Sequence, residues 1–120
     1  HVQIVSVFKQ GVVLLFEGQY GQINAVIDAS SITKIRTAGA SALATQYLAR
    51  SDAQGPLTLC ILGSGVQAES HLEAMLAVRK INKVKVWSRT FSNATKFAQR
   101  AQAKFGVKVE AYESAEHTVR

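Results

Sequence analysis

Residues 59–68 read LCILGSGVQA, an apolar run that ends in two glycines and continues into a helical pattern. The spacing G-x-G-x-x-A puts Gly63, Gly65 and Ala68 between a predicted strand and a predicted helix. Gly63 permits a tight turn, Gly65 lets the backbone approach a pyrophosphate, and Ala68 lets the helix pack closely on the strand. The free N–H groups of residues 64–67 are expected to face that ligand at the positive end of the helix dipole. A turn with a purely structural role is the alternative.

Strands and helices alternate after this turn. The sequence predicts a strand at 57–62, a helix at 66–79, a strand at 84–87, a helix at 92–105 closed by Gly106, and a strand at 107–112. This β-α-β-α-β order implies a parallel sheet with right-handed crossovers. The fold class is therefore α/β, with the first half of a Rossmann-type doubly wound sheet and an unpaired sheet edge after the last strand.

The segment before residue 51 follows a different pattern. Three stretches rich in β-branched residues, at 2–8, 11–16 and 22–27, are separated by turn residues and predict an antiparallel meander. A helix is expected to begin near residues 28–31, which offer capping oxygens, and to end before residues 51–56. Inside that helix Gly39 destabilises the helix by about 1 kcal/mol relative to alanine. A close approach by backbone or ligand at this position would explain why glycine occurs there.

The composition describes a soluble globular domain of 120 residues, 48% of them hydrophobic. The chain begins at His1, without an initiator methionine, and is expected to be a fragment of a longer protein. No apolar run approaches the roughly 20 residues of a membrane helix, so no membrane association is expected. The single cysteine, Cys60, has no disulfide partner and no metal-binding cluster around it, which favours a reducing, cytoplasmic location.

The net charge of +6 is concentrated between Arg79 and Lys108, where nine Lys or Arg occur with no Asp or Glu. Such a block is able to attract nucleic acid, a membrane surface or an anionic small molecule, or it forms solvated helix faces and loops. Nucleic-acid binding is disfavoured, because the sequence has no recognition motif and no interleaved exposed aromatic residues.

A cluster of polar residues follows the strand predicted at 84–87. About 20 residues after the glycine turn, many dinucleotide-binding folds have an acid that accepts hydrogen bonds from the ribose 2′-hydroxyl and would repel a 2′-phosphate. Here the sequence has Ser88, Arg89 and Thr90. A guanidinium pairs with two phosphate oxygens and the hydroxyls add donors, while Asn93 is placed to assist. The predicted cofactor is therefore NADPH rather than NADH, unless Arg89 is only a solvated loop residue.

Three motifs together resemble one family. They are residues 28–38 (DASSITKIRTA), residues 60–68 (CILGSGVQA) and residues 87–90 (WSRT) with 93–94 (NA). The whole chain resembles the ornithine cyclodeaminase and mu-crystallin family and is nearest to its mu-crystallin branch, also described as ketimine reductase. That resemblance implies a homodimer of two-domain subunits. Residues 1–50 would be the end of an α+β substrate and dimerisation domain, and residues 57–120 the first half of an NADP-binding Rossmann domain.

The resemblance also implies roles for individual residues. Arg36, of the Arg-Thr-Ala motif, would lie near the nicotinamide and bind the substrate carboxylate. The pyrophosphate-side positions would be Gly63, Ser64, Gly65, Val66 and Gln67, and the positions around the 2′-phosphate and adenine would be Ser88, Arg89, Thr90 and Asn93. The proton donor would lie outside this chain, which has no predicted catalytic residue and no predicted metal ligand.

Two positions depart from the family pattern. Gly39 stands where relatives usually have alanine or a similar small residue, and Lys9 stands where a relative has a histidine near the cofactor.

The function implied is that of an NADPH-dependent reductase acting on the C=N bond of a cyclic ketimine carboxylate. The alternatives are NADPH-dependent thyroid hormone binding with little turnover, and an ornithine cyclodeaminase-type ammonia-lyase. The 120-residue stretch alone is expected to be inactive.

Overall fold

The computed structural model describes the backbone of residues 2–7, 10–49, 55 and 57–120, and the side chains of residues 11–49, 55 and 57–120. Ten elements occur in these ranges, and both the meander and the β-α-β-α-β order predicted from the sequence are present. They are β1 (Val2–Val7), β2 (Gln10–Phe16), β3 (Ile23–Asp28), α1 (Ala29–Leu48), β4 (Leu57–Leu62), α2 (Val66–Val78), β5 (Ile81–Trp87), α3 (Phe91–Phe105), β6 (Lys108–Tyr112) and α4 (Ala115–Val119).

The first three strands form an antiparallel sheet in the order β1-β2-β3. The β2–β3 turn is organised by Glu17, whose carboxylate accepts hydrogen bonds from the backbone N–H groups of Gln19, at 2.9 Å, and Tyr20. These bonds hold the pKa of Glu17 below its ordinary value. The predicted meander is thus confirmed, while Phe8 and Lys9 lie outside the described residues.

Helix α1 begins where Asp28 caps it, as predicted. The Asp28 carboxylate accepts hydrogen bonds from the N–H and hydroxyl of Ser31, both at 2.9 Å, which satisfies a donor of the first turn. The chain divides into two compact units between Arg36 and Thr37, inside this helix. A Cβ added at Gly39 would meet no atom within 4 Å, so a close approach by the described backbone does not explain that glycine, while the approach of a ligand stays a prediction. Of the predicted connection at 51–56, only Gly55 is described.

The second unit contains the parallel sheet, in the order β4-β5-β6. Leu62 pairs with Trp87 and Trp87 pairs with Tyr112, so the three strands end in one row. Loops that follow these strands therefore start side by side at the carboxyl edge of the sheet, which is where doubly wound folds bind ligands. Strand β6 lies at a sheet edge, as predicted, and β4 lies at the other.

Helices α2 and α3 cover one face of this sheet. The β5 residues Val84 and Val86 are fully buried there, and the α3 residue Phe97 is 1% exposed. Gly106 ends α3 in the left-handed conformation, at φ 66°, and its N–H donates to the carbonyl of Gln102 at 3.0 Å. The buried members of this core are Ala68, Leu72, Val84, Val86, Ala94, Phe97, Ala98, Ala101, Val107 and Val109.

The opposite face contacts the short helix α4. Side chains alternate along a strand, so Cys60 and Trp87 project away from α2 and α3. The thiol of Cys60 donates to the carbonyl of Thr118 at 3.0 Å, and Trp87 Nε1 donates to the carbonyl of Glu113 at 3.1 Å. Both ends of the α4 segment are thereby held against the sheet.

A charged cluster on this face centres on Glu110. Its carboxylate lies 2.7 Å from Lys83 Nζ and 2.8 Å from Lys108 Nζ, and it accepts a hydrogen bond from the Tyr112 hydroxyl at 2.9 Å. Hydrogen bonds from Lys108 first, then from Lys83 and Tyr112, lower the pKa of Glu110 from 4.5 to about 2. Part of the basic block thus has specific partners, rather than only solvating the surface.

Replacing Glu110 by glutamine is expected to lower the Tm at neutral pH, because two lysines lose the carboxylate between them. The pKa in the folded state lies below the ordinary value, so the carboxylate stabilises the fold above about pH 4.5, and this contribution is lost as the pH falls toward about 2. Thermal unfolding of wild type and Glu110→Gln across this pH range should show a difference in Tm that becomes smaller as the pH falls. Glu116→Gln, at an exposed position of α4, is the control, and a difference independent of pH contradicts the assignment.

Within the described ranges, no helix has the length and apolarity needed to cross a membrane. The same residues contain no group of three or more His, Cys, Asp or Glu that could hold a metal ion.

Candidate functional site

The glycine turn joins β4 to α2 at the carboxyl edge of the parallel sheet. Gly63 has φ 129°, a conformation that side chains strongly disfavour, and its N–H donates to the carbonyl of Trp87 at 2.7 Å. The tight turn predicted for this position is therefore present, and it extends the β4–β5 ladder by one bond.

Gly65 precedes α2 with φ −86°, a value that any residue adopts. A Cβ placed there would meet nothing within 4 Å, so the glycine leaves open space in front of the turn. Ala68, one turn further on, is buried in the core. The two small residues thus have the different environments that were predicted. Gly65 faces open space, and Ala68 allows the helix to pack on the sheet.

The backbone N–H groups of Ser64, Gly65, Val66 and Gln67 form no hydrogen bond within the described part of the chain. The first bonds of the helix are donated by Ala68 and Glu69 to the carbonyl of Gly65. Free N–H groups at the start of a 13-residue helix give the turn positive electrostatic potential. The turn therefore fits a pyrophosphate, which needs donors, positive potential and room for close approach.

The β5–α3 loop lies beside this turn and contains three of the predicted 2′-phosphate residues, Ser88, Arg89 and Thr90. The hydroxyl of Ser64 donates to the hydroxyl of Ser88 at 3.0 Å, which joins the two loops. Arg89 is exposed, and its guanidinium has no hydrogen bond or ion pair with the described residues. The Thr90 side chain makes no capping bond, and exposed Asn93 lies in the first turn of α3. Among the described residues nothing pairs with the Arg89 guanidinium or caps α3 through the Thr90 hydroxyl, so both groups are available to an anion.

Arg36 is exposed on α1 and has no hydrogen bond or ion pair with the described residues. It is the last residue of the first compact unit. Its predicted role as a substrate-binding and cofactor-binding residue stays a prediction.

A cavity of about 400 Å³ adjoins the glycine turn. Its walls are mainly apolar and come from β4 residues 59–62, the turn itself, and Gln67, His71 and Met75 of α2. His71 is not among the site residues predicted from the sequence. The ring is half-buried and contacts Ser41, a residue 30 positions earlier, so no local pattern could have indicated the pair.

Comparison with known proteins gives consistent matches. A family model described as the ornithine cyclodeaminase/mu-crystallin family matches residues 5–120. The chain is 44% identical to a Delta(1)-pyrroline-2-carboxylate reductase of Bacillus cereus, over 99% of the chain and 39% of that protein. It is 45% identical to the ketimine reductase mu-crystallin of Rattus norvegicus, over 78% of the chain and 29% of that protein.

A solved structure resembles the fold as well. The Delta(1)-pyrroline-2-carboxylate reductase of Thermococcus litoralis, in complex with NADH and L-proline, matches with a TM-score of 0.84 and 37% identity. The match covers 91% of this chain and 33% of that one. The chain thus spans between 29% and 39% of the length of these three relatives.

Proposed function

The chain belongs to the ornithine cyclodeaminase/mu-crystallin family, and we propose that it forms part of an NADPH-dependent reductase of cyclic ketimine carboxylates. The observation that supports this most is the row of N–H groups at residues 64–67. They have no partner in the described part of the chain, and they lie beside the Ser64–Ser88 hydroxyl pair and near Arg89, which is likewise unpaired there. The reductase names of the relatives and the NADH and L-proline in one solved structure agree with a nicotinamide cofactor and a cyclic imino acid.

The residues around the turn have separate tasks in this proposal. Gly63 shapes the turn, Gly65 leaves room, and the N–H groups of Ser64, Val66 and Gln67 bind the pyrophosphate. Ser88, Arg89, Thr90 and Asn93 bind the adenosine end, where a 2′-phosphate pairs with the guanidinium. One relative is solved with NADH, so resemblance to the relatives does not by itself favour NADPH. The proposed preference for NADPH depends on the pairing of Arg89 with the 2′-phosphate.

When bound, the reduced nicotinamide supplies the hydride that the C=N carbon accepts. Arg36 is proposed to bind the substrate carboxylate through paired charge-assisted hydrogen bonds, which orients the imine carbon toward the cofactor. Reduction also requires a proton at the imine nitrogen, and no residue of this chain is proposed to donate it. Activity is therefore a property of the full-length protein.

Replacing Arg36 by lysine is expected to raise the KM for a cyclic ketimine carboxylate about tenfold, because lysine keeps the charge but loses the paired geometry. The measurement is ketimine-dependent NADPH oxidation by the full-length protein that contains this chain. Lys34→Met, two residues away on the same helix, is the control and should leave the KM within about twofold of wild type. If Arg36→Lys turns over the ketimine with the KM of wild type, Arg36 does not bind the substrate carboxylate.

The alternative functions are distinguished by NADPH oxidation together with measurements of hormone binding and of ammonia release. Tight thyroid hormone binding with no NADPH oxidation would favour the hormone-binding alternative, and ammonia release from ornithine would favour a cyclodeaminase. A homodimer and a cytoplasmic location also remain predictions from the resemblance and from the single cysteine.

A further inference from the structure

We propose that His71 is a positioning residue for the cofactor turn and that Ser41 of α1 holds its ring in place. The proposal rests on the proposed function, because its readout is cofactor affinity. It concerns residues that the pyrophosphate itself is not expected to touch.

The hydrogen bonds of His71 fix which ring nitrogen bears the proton. His71 Nδ1 lies 2.7 Å from the carbonyl oxygen of Gln67. A carbonyl only accepts, so Nδ1 must donate, and Nε2 of the neutral ring is then an acceptor. Ser41 Oγ lies 3.0 Å from Nε2 and supplies the matching donor. The two bonds form a chain from Ser41 through the ring to Gln67.

The acceptor of this chain belongs to the turn that binds the cofactor. The same Gln67 carbonyl accepts a hydrogen bond from the buried Ser70 hydroxyl at 3.2 Å. Two side-chain donors of the second helical turn therefore hold the carbonyl of a residue whose own N–H group is free for the pyrophosphate. Because anion binding depends on the aim of such N–H groups, a fixed first turn needs less reorganisation when the cofactor binds.

Ser41 is itself held by an anchored helix. Arg79, just after α2, donates from Nη2 to the carbonyls of Thr45 at 2.7 Å and Gln46 at 3.3 Å. These are carbonyls near the end of α1, which has no basic residue of its own in its last turn. Arg79 thus ties the end of α1 to the end of α2, and Ser41 and His71 tie the two helices nearer to the glycine turn.

The test compares four variants in the full-length protein by calorimetric titration with NADPH. Ser41→Ala removes the outer bond, and His71→Asn removes it too while its side-chain amide can still donate to Gln67. Each is expected to weaken NADPH about threefold, and His71→Leu, which removes both bonds, about tenfold. His117→Asn, at an exposed position of α4, is the matched control and should bind as wild type does.

The double variant Ser41→Ala/His71→Asn separates a linked pair from two independent changes. If the two residues act through one bond, its NADPH Kd should equal that of either single variant within about twofold. If the NADPH Kd of the double variant instead rises by the product of the two single-variant factors, the two residues act independently and the link is contradicted. A lower Tm with an unchanged Kd in Ser41→Ala and His71→Leu would show a merely structural role and overturn the proposal.

The outcome also distinguishes this inference from the proposed function. If wild type binds NADPH and all His71 variants bind equally well, the positioning role fails while the proposed function stands. If wild type shows no saturable binding of NADPH or NADH, the proposed function fails, and this inference fails with it.

Discussion

Replacing Gly65 by valine is expected to weaken NADPH binding roughly 100-fold or more while the protein stays folded. Gly65 has an ordinary backbone conformation, and an added Cβ meets nothing within 4 Å, so the unbound protein has open space where the side chain begins. The same side chain would fill the space through which a pyrophosphate reaches the free N–H groups. Loss of two charge-assisted hydrogen bonds, each about 1.5 kcal/mol, corresponds to roughly that factor.

The measurements are the NADPH Kd and the Tm of Gly65→Val and wild type. Ala103→Val introduces a valine at an exposed position of α3 and should leave the Kd unchanged. Unchanged NADPH affinity in Gly65→Val contradicts the placement of the pyrophosphate at this turn. The variant is informative because it separates binding from folding. A substitution at Gly63 would not do so, because any side chain would be strained at φ 129°.

Replacing Arg89 by alanine is expected to weaken NADPH by about 1.5–3 kcal/mol, or roughly 10- to 150-fold, because a charge-assisted pair with the 2′-phosphate is lost. The affinity for NADH should stay within about twofold of wild type, since that cofactor has no phosphate at this position. Calorimetric titration with each cofactor measures the two values. Exposed Arg89 has no partner among the described residues, so the substitution leaves no group unpaired.

Arg100→Ala removes an equal charge from the exposed side of α3 and controls for the general positive potential of the basic block. It should weaken both cofactors slightly and equally. Equal losses of NADPH and NADH in Arg89→Ala would mean that Arg89 contacts a part common to both cofactors, and they would remove the basis for the predicted preference.

The order of elements as far as β6 could be predicted because local signals agree, whereas α4 was not predicted. Asp28 caps α1, Gly106 closes α3 in the left-handed conformation, and the glycine turn separates β4 from α2. Strand β5 is longer than predicted, since it begins at Ile81 rather than at Val84. The reason is that Lys83 projects to the outer face, where Glu110 pairs with it, so the strand alternates and has no continuous apolar run.

The contacts around the site were less predictable from sequence. Ser64 and Ser88 meet because β4 and β5 end in register, a consequence of strand pairing. The hydrogen bond between Ser41 and His71 joins residues 30 positions apart, and the bond from Arg79 to Thr45 joins residues 34 positions apart. Such distant pairs leave no periodic pattern in the sequence. Local patterns therefore indicated the residues proposed to face a cofactor, whereas the residues proposed to support them emerged only from the packing of the helices.

The most direct test of cofactor binding at the glycine turn is calorimetric titration of the full-length protein, first with NADPH and then with NADH. Both are expected to bind in a saturable manner, with NADPH at least about tenfold tighter, the lower limit for one charge-assisted pair. Absence of saturable binding would contradict a dinucleotide site at residues 63–67. Equal affinity, or tighter binding of NADH, would contradict the role of Arg89.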